Sequence, residues 1–339
     1  MSAAASLVAL RALGLGDFLT GVPAYRAIAR AFPAHRRTLA APRSLHALLP
    51  LLGDVFTDAY DVAPLGPLPA AAGAADVAIN LHGGGPQSHR TLLACDPRHL
   101  LAFASDATDI PARGPAWDEG EHEVQRWCRM LRYYSISSDE RELHIGVPSV
   151  VLPAHLRRAT VVHPGASTQA RRWPAERWAA VARACAKRGE RVVVTGDPSE
   201  RALGAEIVAR AQLAPSSDVA GRTSLLELAA LVAGAERVLC GDTGIAHLAS
   251  AYAVPSVVLF GPMSPAQWGP PRRARHRVLW AGQYGDPHAV TSDRGLLAIQ
   301  PIHVLDEIQR LRSLAHAPIR EGGEGTAKSV AATSSSAPQ

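Results

Sequence analysis

The sequence predicts an α/β protein of two units, each a parallel sheet wrapped by helices. Three observations predict it. Short aliphatic runs alternate with longer amphipathic segments, the pattern of strand–helix–strand crossovers. The runs end in turns rich in glycine, proline and aspartate, where open parallel sheets keep their ligand loops. At 339 residues, 47% hydrophobic and 19% charged, the chain is long enough and apolar enough for two cores.

In order along the chain, Leu7 to Leu10 is a first strand, followed by the turn GLGDFLTG, Gly14 to Gly21. Val22, Tyr25, Ile28 and Phe32 then recur at helical spacing. Val77 to Leu81 is a strand running into HGGGPQSHR, and a helix is expected from about Glu121 to Tyr133. The Pro-containing stretch Val147 to Pro153 sets the domain boundary near residue 150, giving domains at 1–150 and 151–300. The second domain reads more clearly. It offers the strand Ala159 to His163, a helix from Pro174 to Gly189, the strand Arg191 to Gly196 and a helix from Glu200 to Gln212. Ser224-Leu-Leu-Glu227 is a capping box opening a helix to about Ala235. The strand Arg237 to Gly241, a short helix from near Gly244 and the strand Ser256 to Phe260 follow. A last helix, about Ile302 to Leu314 within 301–318, has no strand after it and is expected to pack back on the first domain. Residues 319–339 are small, polar and aperiodic, and read as a disordered tail.

The net charge of +5 points to anionic ligands. The basic residues are dispersed apart from Arg171-Arg172 and the run Arg272 to Arg277, and no basic helix is interleaved with aromatics, so no nucleic-acid partner is expected. Cys95, Cys128, Cys185 and Cys240 stand far apart with no histidine at ligand spacing. They read as reduced thiols of a cytoplasmic protein, with neither zinc nor disulfides. Arg11 cuts the first apolar run short, so no signal peptide is expected, and no segment reaches the length of a transmembrane span. Peripheral contact with the inner face of a membrane stays open.

Chemistry concentrates where strands end: HPGASTQARRWP, TGDPSE, GDTGIAH and FGPMSP in the second domain. In GDTGIAH, Asp242 ends a strand, Thr243 can cap the next helix, and Gly244 lets a ligand approach the backbone closely. Free N–H groups there would hold a diphosphate, with His247 as a further donor; the alternative is a capped helix with a structural histidine. Arg171 and Arg172 are either phosphate-neutralising or simply solvated. Glu200 either accepts from a ribose diol or is a first-turn glutamate favoured by the helix dipole. GLGDFLTG sits where a dinucleotide turn would, but Leu19 replaces the third glycine of G-x-G-x-x-G, which disfavours a nicotinamide-dependent enzyme. Asp17 puts a carboxylate where a phosphate would lie. It reads either as a helix cap or as a functional acid, and cap contacts and the dipole are expected to keep it ionised.

Together, ALGLGDFLTGVPAYRAIARAFP, HPGASTQARRWPAERWAAVA, VVVTGDPSERALGAEI, VAGRTSLLELAALVAGAERVLCGDTGIAHLASAYAVPSVVLFGP and SPAQWGP resemble glycosyltransferase family 9, the ADP-heptose:lipopolysaccharide heptosyltransferase family. The resemblance implies a GT-B fold, two Rossmann-like domains facing across a cleft, with the nucleotide sugar on the second and the acceptor facing the first. It implies inverting transfer without a metal or other cofactor, most naturally of heptose from ADP-heptose. The acceptor would be a hydroxyl of a glycan, glycolipid or secondary metabolite. Carried over by motif, Asp17 matches the catalytic aspartate, Arg171 a basic donor-phosphate position that is often lysine, and Ser167 the same phosphate loop. Glu200 matches a ribose contact, and Asp242, Thr243, Gly244 and His247 match the donor-binding D-T-G-x-x-H. HGGGPQSHR departs from the family's acceptor-side loops. Another nucleotide sugar, an epimerase of the same fold and a non-catalytic nucleotide-sugar-binding protein are the alternatives.

Overall fold

The structure, a computed structural model, describes residues 5–107 and 112–316. The first half runs β1 (Ser6–Leu10), α1 (Leu15–Thr20), α2 (Val22–Ala31), β2 (Arg36–Ala41), β3 (Asp58–Asp61), β4 (Val77–Asn80), α3 (Gln87–Leu93), β5 (His99–Leu101) and α4 (Glu123–Tyr133). The second runs β6 (Thr160–His163), α5 (Ala175–Lys187), β7 (Val192–Val194), α6 (Arg201–Ala211), α7 (Leu225–Ala233), β8 (Arg237–Gly241), α8 (Gly244–Ala251), β9 (Ser256–Phe260), α9 (Pro265–Trp268), β10 (His276–Trp280), α10 (Arg294–Ala298) and α11 (Pro301–His316). The sheet orders are β3-β2-β1-β4-β5 and β10-β9-β8-β6-β7, and every pairing is parallel. In each sheet the connections diverge at one point, between β1 and β4 in the first and between β6 and β8 in the second. Open sheets hold ligands at the carboxyl ends of such strands.

The strands are buried on both faces, which is why they read as apolar runs rather than alternating ones. Leu7 and Ala9 point into one core while Val8 and Leu10 point into another on the opposite face. In the second sheet Val161, Val193, Val238 and Val258 share that first core, whereas Val162, Val194, Leu239 and Val257 pack on α5, α6 and α11. One continuous apolar core therefore joins the inner faces of both sheets. Hydrogen bonds across the halves add to it: Tyr252 Oη to the Gly146 carbonyl (3.0 Å) and Gln267 Nε2 to the Glu119 carbonyl (2.7 Å).

The last helix differs from expectation. Val304, Ile308 and Leu311 of α11 bury against Trp178, Val181 and Leu239, so α11 packs on α5, β9 and β10 of the second sheet and not on the first half. That face of the second sheet carries Leu239, Val257 and Leu259, in the same core as the α11 stripe. The tail 319–339 lies outside the described residues. Among the described residues no helix is long and apolar enough to cross a membrane.

Candidate functional site at the α1–α8 contact

The loop after β1 and the loop after β8 meet. A Cβ on Gly244 would stand 2.9 Å from Leu15 Cβ and 3.0 Å from the Gly16 backbone N, and one on Gly16 would stand 3.1 Å from His247 Cδ2. The close approach read for Gly244 is thus made first by the backbone of the other half. Two helix N-termini, both partially positive, converge here, an arrangement that calls for negative charge between them. Asp17 stands in the first turn of α1, and Asp242 immediately precedes the Thr243 cap of α8.

Asp17 is not the N-cap of α1. Gly14 is, without a side-chain cap bond, and Asp17 is the third helical residue. Its carboxylate is about a quarter exposed, with Oδ1 3.6 Å from Nη2 of Arg11. Burial raises its pKa; Arg11 and the Gly14 N–H work the other way. Arg11 itself is fully buried. Its Nη2 donates to Thr20 Oγ1 (2.9 Å) and to Glu123 Oε1 (2.9 Å), Nη1 to the Leu81 carbonyl and Nε to the carbonyl of Asp17. Glu123 also accepts from Trp127 Nε1 (2.8 Å) and pairs closely with Arg126. Sequence reading missed this cluster. Arg11 showed only as an interruption of an apolar run, and Glu123 lies 112 positions away with no local signal.

HGGGPQSHR reaches the same place from β4. Asn80 Nδ2 donates to Ser88 Oγ (2.8 Å) and its Oδ1 accepts from His82 N–H (2.9 Å), while His82 Nδ1 accepts from Ala12 N–H (3.2 Å). Burial pushes His82 down to about 4, so the ring is neutral and free to accept.

Opposite, Asp242 is buried, with Oδ2 3.6 Å from Arg171 Nη1 and no hydrogen bond of its own. Burial raises its pKa against the pull of Arg171. Thr243 caps α8 by accepting from Ile245 N–H. His247 is buried and pushed down to about 4, chiefly by desolvation, so at neutral pH it is an uncharged ring that donates once. Ser167 is exposed in the loop after β6. That loop is braced by Thr168 Oγ1 donating to Pro287 O (2.7 Å) and Ser292 Oγ donating to Arg172 O (2.8 Å). Glu200 is 5% exposed; it accepts from Asp197 N–H (2.9 Å) in a capping box and stands 3.8 Å from Arg172. Its carboxylate fills the space where Gly165 lacks a side chain, so the structure places it in the capping role. Beside the α1–α8 contact runs a groove of about 1170 Å³ lined by Leu19, His122, His247, Ser250, Arg273 and Trp280. His247 is the member of the sequence-read site that reaches it.

Two parallel sheets facing each other, with loops from both converging at their carboxyl ends, define a GT-B protein. The chain belongs to glycosyltransferase family 9 (heptosyltransferase), whose family model matches residues 113–295. That span holds Glu123, Arg171, Glu200 and the Asp242–His247 run; Asp17 precedes it. The chain is 33% identical over 159 residues to lipopolysaccharide heptosyltransferase 2 of Salmonella typhimurium, covering 44% of this chain and 45% of that relative. It thus matches less than half the length of that curated relative. In fold it is similar to the Escherichia coli ADP-heptose lipopolysaccharide heptosyltransferase II, with a TM-score of 0.70 at 20% identity, covering 92% of this chain and 100% of the other. It is likewise similar to the Escherichia coli heptosyltransferase WaaC with ADP, with a TM-score of 0.67 at 16% identity, covering 90% and 99%.

Proposed function

We propose that the protein is an inverting glycosyltransferase that moves a sugar, heptose from ADP-heptose, onto an acceptor hydroxyl without a metal ion. The observation that carries this reading is the α1–α8 contact, which sets Leu15 and Gly16, the residues just before Asp17, against Gly244 and His247. The relatives' names, which specify heptose transfer and ADP, support the donor.

Asp17, partly exposed at the end of the first sheet, takes the proton as the acceptor oxygen attacks the anomeric carbon. The bond to the nucleoside diphosphate breaks on the opposite face, inverting the centre. Charge developing on the leaving diphosphate is met by Arg171, the positive N-terminal end of α8 and the single ring donor of His247, a preorganised field that would serve where other transferases use a cation. Ser167 adds a hydroxyl to the same loop. Glu200 takes the ribose only after its capping bond yields, and the adenine lies near Val219-Ala220-Gly221. The acceptor approaches from the HGGGPQSHR side as a glycan, glycolipid or smaller metabolite. A cytoplasmic enzyme in peripheral contact with a membrane suits a lipid-linked one.

Calorimetric titration tests the donor: ADP is expected to bind, and more tightly than UDP, and transfer is expected to survive EDTA. Preference for UDP, or activity lost to EDTA and restored by Mg²⁺, contradicts the reading.

A further inference from the structure

We infer that Glu123 is a positioning residue for Asp17: by holding the Arg11 nitrogen that also faces Asp17, it stops that guanidinium from closing on Asp17, leaving the carboxylate basic enough to take a proton. The inference rests on the reading of Asp17 as the base.

The geometry is a three-way division of one nitrogen. Arg11 Nη2 lies 2.9 Å from Glu123 Oε1, 2.9 Å from Thr20 Oγ1 and 3.6 Å from Asp17 Oδ1. The tight contact belongs to Glu123 and the loose one to Asp17. Both ends are fixed. Arg11 is anchored on the carbonyls of Asp17 and Leu81 and lies over the Trp127 ring, 4.8 Å from its centroid. Glu123 is anchored by Trp127 Nε1 and Arg126, and Arg126 in turn by the Asp118 carbonyl (2.8 Å).

The charges close as well. Arg11 and Arg126 balance Asp17 and Glu123. The other titratable groups facing the cluster are Tyr25 from α2, His82 after β4, His122 before α4 and His247 from α8. Burial keeps Tyr25 protonated and His82 and His247 neutral at pH 7, while Nδ1 of His122 accepts from Val124 N–H and its Nε2 faces the Gly269 carbonyl. Removing the Glu123 charge therefore leaves Asp17 as the carboxylate paired with Arg11 among the described residues, with the Arg126 charge uncompensated beside them. An opposite charge at such a distance favours the ionised carboxylate and weakens it as a base.

The test reads Asp17 directly. The carboxyl ¹³C signal of Asp17, assigned by its loss in Asp17→Asn, is titrated in the full chain for the parent, Glu123→Gln and Glu123→Asp. The Gln variant is expected to titrate about 1 pH unit lower than the parent, and the Asp variant, whose carboxylate recedes by one methylene, by less. The acid limb of transfer from ADP-heptose to heptose-deficient lipopolysaccharide should move with it, while ADP affinity stays within about twofold because the donor loops are untouched. Should the Gln variant fail to bind ADP, and so be misfolded, the Asp variant decides alone. A merely structural Glu123 would lower the melting temperature and leave the titration midpoint where it is, which overturns the inference. Asp17→Asn at parental turnover would instead overturn the reading of Asp17, so the two failures are told apart.

Discussion

Arg171 and Asp242 form the most exposed question at the scale of single residues. A buried carboxylate oxygen with no hydrogen bond, 3.6 Å from a guanidinium whose Nε is also unmatched, is a pair held ready rather than satisfied. A diphosphate would complete the arginine. Arg171→Ala is accordingly expected to weaken ADP binding by tens- to hundred-fold, the worth of a charge-assisted hydrogen bond of roughly 1.5–3 kcal/mol; calorimetry showing parental affinity would remove Arg171 from the donor site. Each of the pair was legible in its own strand-end loop, HPGASTQARRWP and GDTGIAH, where glycine, threonine and histidine in one turn carry a local signal, but their pairing is made only by the fold. Arg11 and Glu123 were not legible. Their partnership exists only once the fold brings the turn after β1 to the first residue of α4, and nothing in either stretch marks it. The capping contact of Glu200 was half legible, since Asp197-Pro-Ser-Glu200 has capping-box spacing but does not say that Gly165 makes room for the carboxylate.

Among the elements, the α1–α8 contact is the joint on which the site depends. Gly244 faces Leu15 and the Gly16 backbone with no room for a methyl, so Gly244→Ala must push two backbones apart. A loss of about 1–3 kcal/mol is expected in urea unfolding, the usual cost of overpacking, and an unchanged midpoint would show that the contact is loose. The strands buried in both sheets were legible as apolar runs, β1, β4, β6, β7, β8 and β9 among them. Four strands carry no such run. β2 opens on Arg36-Arg37, and Arg37 is nonetheless buried because the carbonyls of Phe32, Asp54 and Val55 take its donors. β3 is Asp-Ala-Tyr-Asp, β5 has three residues, and β10 falls within the basic run, where Arg277 turns to Glu307 of α11. Tertiary partners decide these segments, and a local pattern cannot carry them. For the same reason the sequence points α11 to the first half, having no strand after it, while the structure packs it on α5, β9 and β10.

On the proposed reading the whole molecule divides the work, a base from the first half and a donor cradle from the second, over the one core that joins the two sheets. Its response to acid follows from histidines the fold keeps neutral. His276, buried against Ser256 Oγ at 2.9 Å, is pushed from 6.5 to about 4. A base whose folded value lies below its unfolded one stabilises the fold above pH 6.5 and loses that contribution as the pH falls toward 4. His276→Asn, which can keep a hydrogen bond to Ser256, should therefore show a flatter melting temperature between pH 6.5 and 4 than the parent; parallel curves would mean His276 is not held neutral. The division of work itself is tested by Asp17→Asn, with ADP-heptose turnover onto heptose-deficient lipopolysaccharide and ADP affinity measured on the same sample. If the first half supplies the base and the second the donor site, turnover falls by about 10²–10⁴-fold while ADP binds as in the parent. Turnover at the parental rate would contradict that account.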